Sequence, residues 1–207
     1  MNMKKEELLA CAVGIIVGAA CTHIVLSGQS DHNHEEEYQH PIGYADNAEE
    51  VHVHSDFILY LDGTHYDLSD DKYQSGGEQV LHKHVHLHDN DDDVIHRHDH
   101  DITLGDFFGS LGFTLENDSI TNDEGITFTN DDVSELMVFV NDERIDNPKD
   151  YVNEEEDLIL VYFGDKNDSE TIQTLLLEIT DKACIYSGTC PERGTAPQES
   201  CGLTCEL

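Results

Sequence analysis

Leu81-His82-Lys83-His84-Val85-His86-Leu87-His88, Asp89-Asn90-Asp91-Asp92-Asp93, Val94-Ile95-His96-Arg97-His98-Asp99-His100 is the stretch that decides the fold. Both arms alternate with period two, the repeat of a β-strand. With Asp89–Asp93 as the loop, His86 faces His96, His84 faces His98 and His82 faces His100. On the reverse face Leu87 meets Ile95 and Lys83 meets Asp99. A slip of one residue would scatter all of these pairs, so the register is specified by the chemistry it brings together.

Upstream, residues 51–61 alternate in the same way. Val51, Val53, Phe57, Leu59 and Leu61 form one face, and His52, His54, Asp56, Ile58 and Tyr60 form the other. This predicts a half-buried strand. Asp62-Gly63 is a favoured type I′ hairpin pair. Pairing across it sets Leu61 by Thr64, Leu59 by Tyr66 and Phe57 by Leu68, and puts His65 on the face of His52 and His54. Downstream, Thr103 is a candidate N-cap for a short helix whose Leu104, Phe107, Phe108 and Leu111 share one side. Residues 134–140 and 158–163 predict two further strands. Ile172, Leu175, Leu176 and Ile179 predict a helix after Asp168 or Ser169. The expected class is α+β, mainly antiparallel hairpins with one short packed helix.

The segments from Met137 to Arg144, Asp150 to Val152 and Asp157 to Gly164 resemble the second half of a ubiquitin-like β-grasp domain: strand, turn, short connection and final strand. Sulfur carriers of that fold end in a free Gly-Gly. Here Asp165 follows Gly164, so that activity is not implied. The whole chain is similar to a loosely defined group of uncharacterised, membrane-anchored, His-rich proteins of archaea and candidate bacterial phyla. The residues that carry this likeness are His52 to Phe57, the Asp-rich loop into Val94-Ile95-His96, Thr103 to Phe108 and the Cys184 to Cys205 tail. The group supplies no activity.

At the N-terminus, Leu8 to Leu26 is free of acidic and basic residues except His23, and Lys4 and Lys5 precede it. An apolar run of about 20 residues spans a bilayer as a helix, and the lysines keep the N-terminus cytoplasmic. A cleaved signal peptide or a lipid at Cys21 are the alternatives. Each delivers the remainder outside the cytoplasm. The expected organisation is a cytoplasmic tip and transmembrane anchor (1–27), an acidic, His-containing polar stalk (28–50), a His-rich body (51–164), and a helix with a Cys-rich tail (165–207).

The 207 residues hold 45 Asp and Glu against 10 Lys and Arg, a formal net charge of −35. No basic footprint exists for nucleic acid or for an anionic membrane surface. Acid spread over stalk, loops and helices suggests a salt-rich environment. Outside the cytoplasm, Cys184, Cys190, Cys201 and Cys205 predict two disulfides of open connectivity. A Cys₄ zinc site is the competing reading.

Neutral imidazole is the commonest transition-metal ligand. Opposed strand residues lie about 5 Å apart and same-face neighbours about 7 Å, separations at which two rings reach one ion. His52, His54, His82, His84, His86, His88, His96, His98 and His100 are therefore the candidate ligands, for Zn or Cu because thiolates are lacking there. The face is read as open, giving adaptable sites. Asp89, Asp91 and Asp93 imitate the first half of an EF-hand, but Val94 stands where that loop needs Gly and His100 where it needs Glu, leaving only weak Ca²⁺ or Mg²⁺ contact. His52-Val53-His54-Ser55-Asp56 resembles the opening motif of PHP metal-dependent phosphoesterases, and more distantly the His-x-His-x-Asp of metallo-β-lactamase-type hydrolases. The downstream motifs of both are missing, so catalysis is not expected. Asn117-Asp118-Ser119 and Asn167-Asp168-Ser169 are glycosylation sequons. Three readings stand: an extracytoplasmic metal binder, a surface-interaction module whose His face responds to pH, and a metal-dependent hydrolase.

Overall fold

A computed structural model describes residues 51–76 and 79–197. The expected anchor and stalk, and Cys201 and Cys205, lie outside the described residues. Among the described residues no helix is long and apolar enough to cross a membrane.

The chain enters as β1 (Val53–Leu61) and reverses at Asp62-Gly63 into β2 (Thr64–His65). Both turn residues have positive φ, 49° and 83°, the type I′ geometry whose twist suits a two-residue hairpin. Leu61 opposes Thr64, and the Tyr66 N–H donates to the Leu59 carbonyl. The register across this turn is the one the alternation predicts. A 3₁₀ turn at Asp71–Tyr73 leads toward β3 (Val85–His86), followed by β4 (Val94–Arg97). His86 opposes His96 and Val85 opposes Arg97. The His98 N–H donates to the His84 carbonyl, so the His hairpin keeps its predicted register. Its regular pairing is shorter than the alternation suggests.

Helix α1 (Leu104–Ser110) starts at Thr103, whose hydroxyl accepts from the Asp106 N–H while the Asp106 carboxylate takes the Thr103 N–H, a complete capping box. Next come β5 (Thr114–Leu115), β6 (Ser119–Thr121) and β7 (Thr127–Thr129), a small separate sheet. The alternation did not predict it, because strands of two and three residues are too short to register a period. β8 (Ser134–Val140) turns at Asn141-Asp142 into β9 (Glu143–Ile145), and β10 (Leu158–Asp165) closes the sheet. Helices α2 (Ser169–Glu178) and α3 (Ala183–Tyr186) follow. The fold is mixed α+β, mostly sheet with few helices.

The main sheet runs β3-β4-β1-β10-β8-β9, with β2 added to β1. Antiparallel pairing dominates. The exception is central: β1 and β10 are parallel, from Asp56 opposite Leu158 to Leu61 opposite Phe163. One sheet face packs Phe57, Leu59 and Leu61 against Leu104, Phe107 and Phe108 of α1 and Leu115 and Ile120 of the small sheet. The opposite face packs Ile58, Met137, Leu160 and Tyr162 against Ile172 and Leu175 of α2. The expectation of a half-buried β1 is therefore corrected. Residues 165–197 supply α2 and α3 to the second face, and both sides of the strand are covered.

Candidate metal centre

The position of β4 between β3 and β1 creates the site. His54 opposes His96, and His96 opposes His86, so three imidazoles form one row across three strands. One step along, the Val53–Arg97 register sets His52 beside His98, and their ring centroids are 4.5 Å apart. Side chains two residues apart share a face, so His52 and His98 border the first row. His52 and His54 are 4.6 Å apart, His54 and His96 4.8 Å, and His86 and His98 5.0 Å between centroids. His88 approaches from the loop side, 3.9 Å from His96. Ligand nitrogens of His52, His54 and His96 all lie within 4.8 Å of one another.

The expectation of an open His face is not met. His54, His86, His88 and His96 are buried, and the α3 segment lies over His54, His88 and His96. The Tyr186 ring is 4.8 Å from His96, 5.7 Å from His54 and 6.0 Å from His88. Ser187 Oγ is 3.0 Å from His54 Nδ1. The cover is latched from below by Asp56. Its buried carboxylate accepts from Thr180 Oγ1 at 2.6 Å and from the backbone N–H of Lys182 at 2.8 Å and Ala183 at 2.9 Å. Burial pushes the Asp56 carboxyl above its ordinary range, against the pull of those donors. A disulfide joins Cys184 to Cys190 across the end of α3. That bond removes both thiolates from the Cys₄ alternative.

Carboxylates stand behind several rings, each at Nδ1. Glu155 Oε1 is 3.5 Å from His54, Asp89 Oδ2 is 2.9 Å from His88 and Asp99 Oδ2 is 3.6 Å from His84. Burial works against the Glu155 charge, yet hydrogen bonds from His54 and Ser187 hold its carboxyl below the ordinary range. A carboxylate accepting at Nδ1 leaves the lone pair of a neutral ring on Nε2. This is the arrangement that orients metal-ligating histidines.

The remaining predicted ligands fall outside the cluster. His82 is half-buried and its Nδ1 accepts the His84 N–H. His84 is half-buried beside Asp99. His100 is exposed in the turn after β4, so the expected His82–His100 pair does not form part of the ladder. His65, which is not one of the predicted ligands, is exposed opposite Tyr60 at the far end of β1. In the acidic loop, the carboxylates that gather are Asp91, Asp92 and Asp93. Asp89 and Asn90 both adopt positive φ, 61° and 57°, and the reversal sends Asp89 to His88 instead. Lys182 Nζ occupies this loop, 3.1 Å from Asp91 and 2.5 Å from Asp93. Burial opposes the Lys182 charge, but the two carboxylates outweigh it and hold its ammonium above the ordinary range. Tyr186 Oη is 3.2 Å from Asp91.

Tyr186, Ser187 and Glu155 are not legible as site residues in the sequence. One signal points to the first two, a tyrosine and a serine inside the Cys184–Cys190 loop of a tail with no core of its own, and none points to Glu155.

Burial above all, and then the neighbouring His88, His54, His86 and His98, pushes the His96 pKa well below 6.5. Folded His96 therefore refuses a proton that the unfolded chain accepts. The sign follows by linkage: stability is full above the unfolded value and declines as pH falls through about 6.5 toward the lowered folded value. For His96 alone the limiting slope is about 1.4 kcal/mol per pH unit. Urea unfolding of the metal-free chain between pH 7.5 and 5, followed by circular dichroism, is expected to show this loss. The His96→Gln variant should lose less.

No family model matches the chain, and comparison with curated proteins and with solved structures finds no significant match.

Proposed function

We propose that this chain is an extracytoplasmic, membrane-anchored protein that binds a divalent transition metal, Zn²⁺ or Cu²⁺, through histidines of the sheet face. The observation that carries the reading is the convergence of His52, His54 and His96, with ligand nitrogens within 4.8 Å of one another. Two nitrogens about 2.1 Å from one tetrahedral ion are roughly 3.4 Å apart, so small ring rotations complete the set. An all-imidazole donor set suits Zn²⁺ or Cu²⁺ rather than Ca²⁺ or Mg²⁺, which take oxygen. His98 and His86 border the three and offer further nitrogen. The acidic loop is a poorer candidate, since Lys182 already balances two of its carboxylates.

The disulfide supports the extracytoplasmic placement, because such bonds persist in oxidising compartments. The lysines before the apolar N-terminal run support the anchor. The β-grasp-like reading draws support from the parallel pairing of the first and last long strands and from α1 between β4 and β8. The hydrolase reading is weakened by Asp56. In a His-x-His-x-Asp motif that carboxylate would serve the metal, whereas here it caps α3.

Equilibrium dialysis of the purified full-length chain against Zn²⁺, followed by elemental analysis, tests the proposal. At least one tightly held ion per chain is expected. A chain that leaves dialysis without zinc or copper would sink it.

A further inference from the structure

His88 Nε2 lies 3.2 Å from His96 Nδ1, and both rings are fully buried. His88 Nδ1 lies 2.9 Å from Asp89 Oδ2. Side-chain bonds therefore run in series from a carboxylate at the surface, 36% exposed, through one buried imidazole to a second. The second is the ring shared by the candidate metal ligands.

The protons on this series follow from donor and acceptor rules. A carboxylate accepts and cannot donate, so His88 Nδ1 carries the proton of that bond. In a neutral imidazole the other nitrogen is then a lone pair. With His88 neutral, its Nε2 accepts and His96 Nδ1 donates. That puts the lone pair of His96 on Nε2, in a ring grouped with His52 and His54. His54 reaches the same state by its own route, with Ser187 and Glu155 at Nδ1.

From this geometry we infer that Asp89, acting through His88, is a positioning residue that fixes the tautomer of His96 and so presents its Nε2 to the metal. The inference rests on the proposed metal binding, which it deepens, but the tautomer itself is a property of the metal-free protein. Asp89 touches no ion in this scheme. Tyr186 packs on both rings, and both are closed to solvent.

The alternative is a structural role, in which His88 and Asp89 only fill space and close the turn. Three variants separate the two. Asp89→Asn keeps the shape and tolerates the positive φ at this position, 61°, but its amide can donate as well as accept. His88→Leu fills the space and removes the acceptor. His88→Gln returns an acceptor oxygen near the same place.

The first readout is nitrogen NMR of ¹⁵N-histidine-labelled, metal-free full-length chain. His88 and His96 are expected as Nδ1–H tautomers, with His96 turning to a tautomer mixture in His88→Leu. A wild-type His96 with its proton on Nε2 overturns the inference, whatever the metal does. The second readout is Zn²⁺ affinity. His88→Leu should weaken it by about 10- to 100-fold, as removal of an outer partner does. Asp89→Asn should weaken it less, and His88→Gln should recover most of the loss. Wild-type affinity in His88→Leu also overturns the inference, while leaving the metal site standing. Absence of zinc binding in the wild type would sink the metal reading, and the NMR result would still decide the tautomer.

Discussion

Replacing His96 with Ala is expected to lower Zn²⁺ affinity by two orders of magnitude or more, while His100→Ala leaves it unchanged. Both residues are equal candidates from the sequence, and the structure separates them. His96 is fully buried at the middle of the three-strand row, and its ring contacts His54 and His88. His100 is exposed in a turn. A structural zinc site contributes roughly 10–16 kcal/mol shared among its ligands. One lost imidazole therefore removes about 3 kcal/mol, on the order of 100-fold in the dissociation constant. His96→Ala also leaves a space in a packed interior, so His52→Ala is the companion variant. His52 is only half-buried at the margin of the cluster, and its loss should weaken binding with little effect on folding. Competition titration with a zinc chelator measures all three. Equal affinities for His96→Ala and His100→Ala would remove the basis for placing the ion on β1 and β4.

The second large effect concerns the cover. Asp56→Ala should destabilise the protein by about 3 kcal/mol and expose residues 180–190 to protease. The carboxylate holds three donors: the Thr180 hydroxyl and the Lys182 and Ala183 amides. Hydrogen bonds to a charged group are worth about 1.5–3 kcal/mol each, but the three share one acceptor and do not add. With the latch gone, α3 is held by the Lys182 pairs with Asp91 and Asp93, the Cys184–Cys190 bridge and ring packing of Tyr186. A helix of four residues has almost no stability of its own. Released, it uncovers His54 and His96, and zinc uptake should quicken. Thermal unfolding and timed proteolysis read the two consequences. An unchanged melting temperature with unchanged cleavage would show that α3 is held from elsewhere.

These expectations show where the sequence was legible. The His82–His100 stretch disclosed its register because several independent pairings agree on one alignment, and His86 opposite His96 is that alignment. Asp62-Gly63 disclosed its turn because both residues adopt positive φ, which few residue types tolerate. Thr103 disclosed its cap by standing just before the helical spacing of Leu104, Phe107, Phe108 and Leu111, and Asp106 completes the capping box. What stayed hidden was long-range. Nothing local in 51–61 says that β1 lies between β4 and β10, yet that placement brings His52 and His54 to His96. The Asp56 side chain reads as a metal ligand from its neighbours in sequence. It becomes a helix cap only once residues 180–183 arrive from the far end of the chain. Period-two alternation likewise reported two faces for β1 and could not report that α2 and α3 cover the second. Burial of the His cluster was for that reason invisible in the sequence, although it changes the chemistry most, by holding His96 neutral.

Zinc K-edge X-ray absorption on the full-length chain after stoichiometric loading tests the central claim most directly. The account predicts nitrogen scatterers at about 2.0–2.1 Å, with the outer-ring scattering of at least three imidazoles, reduced in His96→Ala. A first shell of oxygen alone, or an imidazole signal untouched by that substitution, would contradict it.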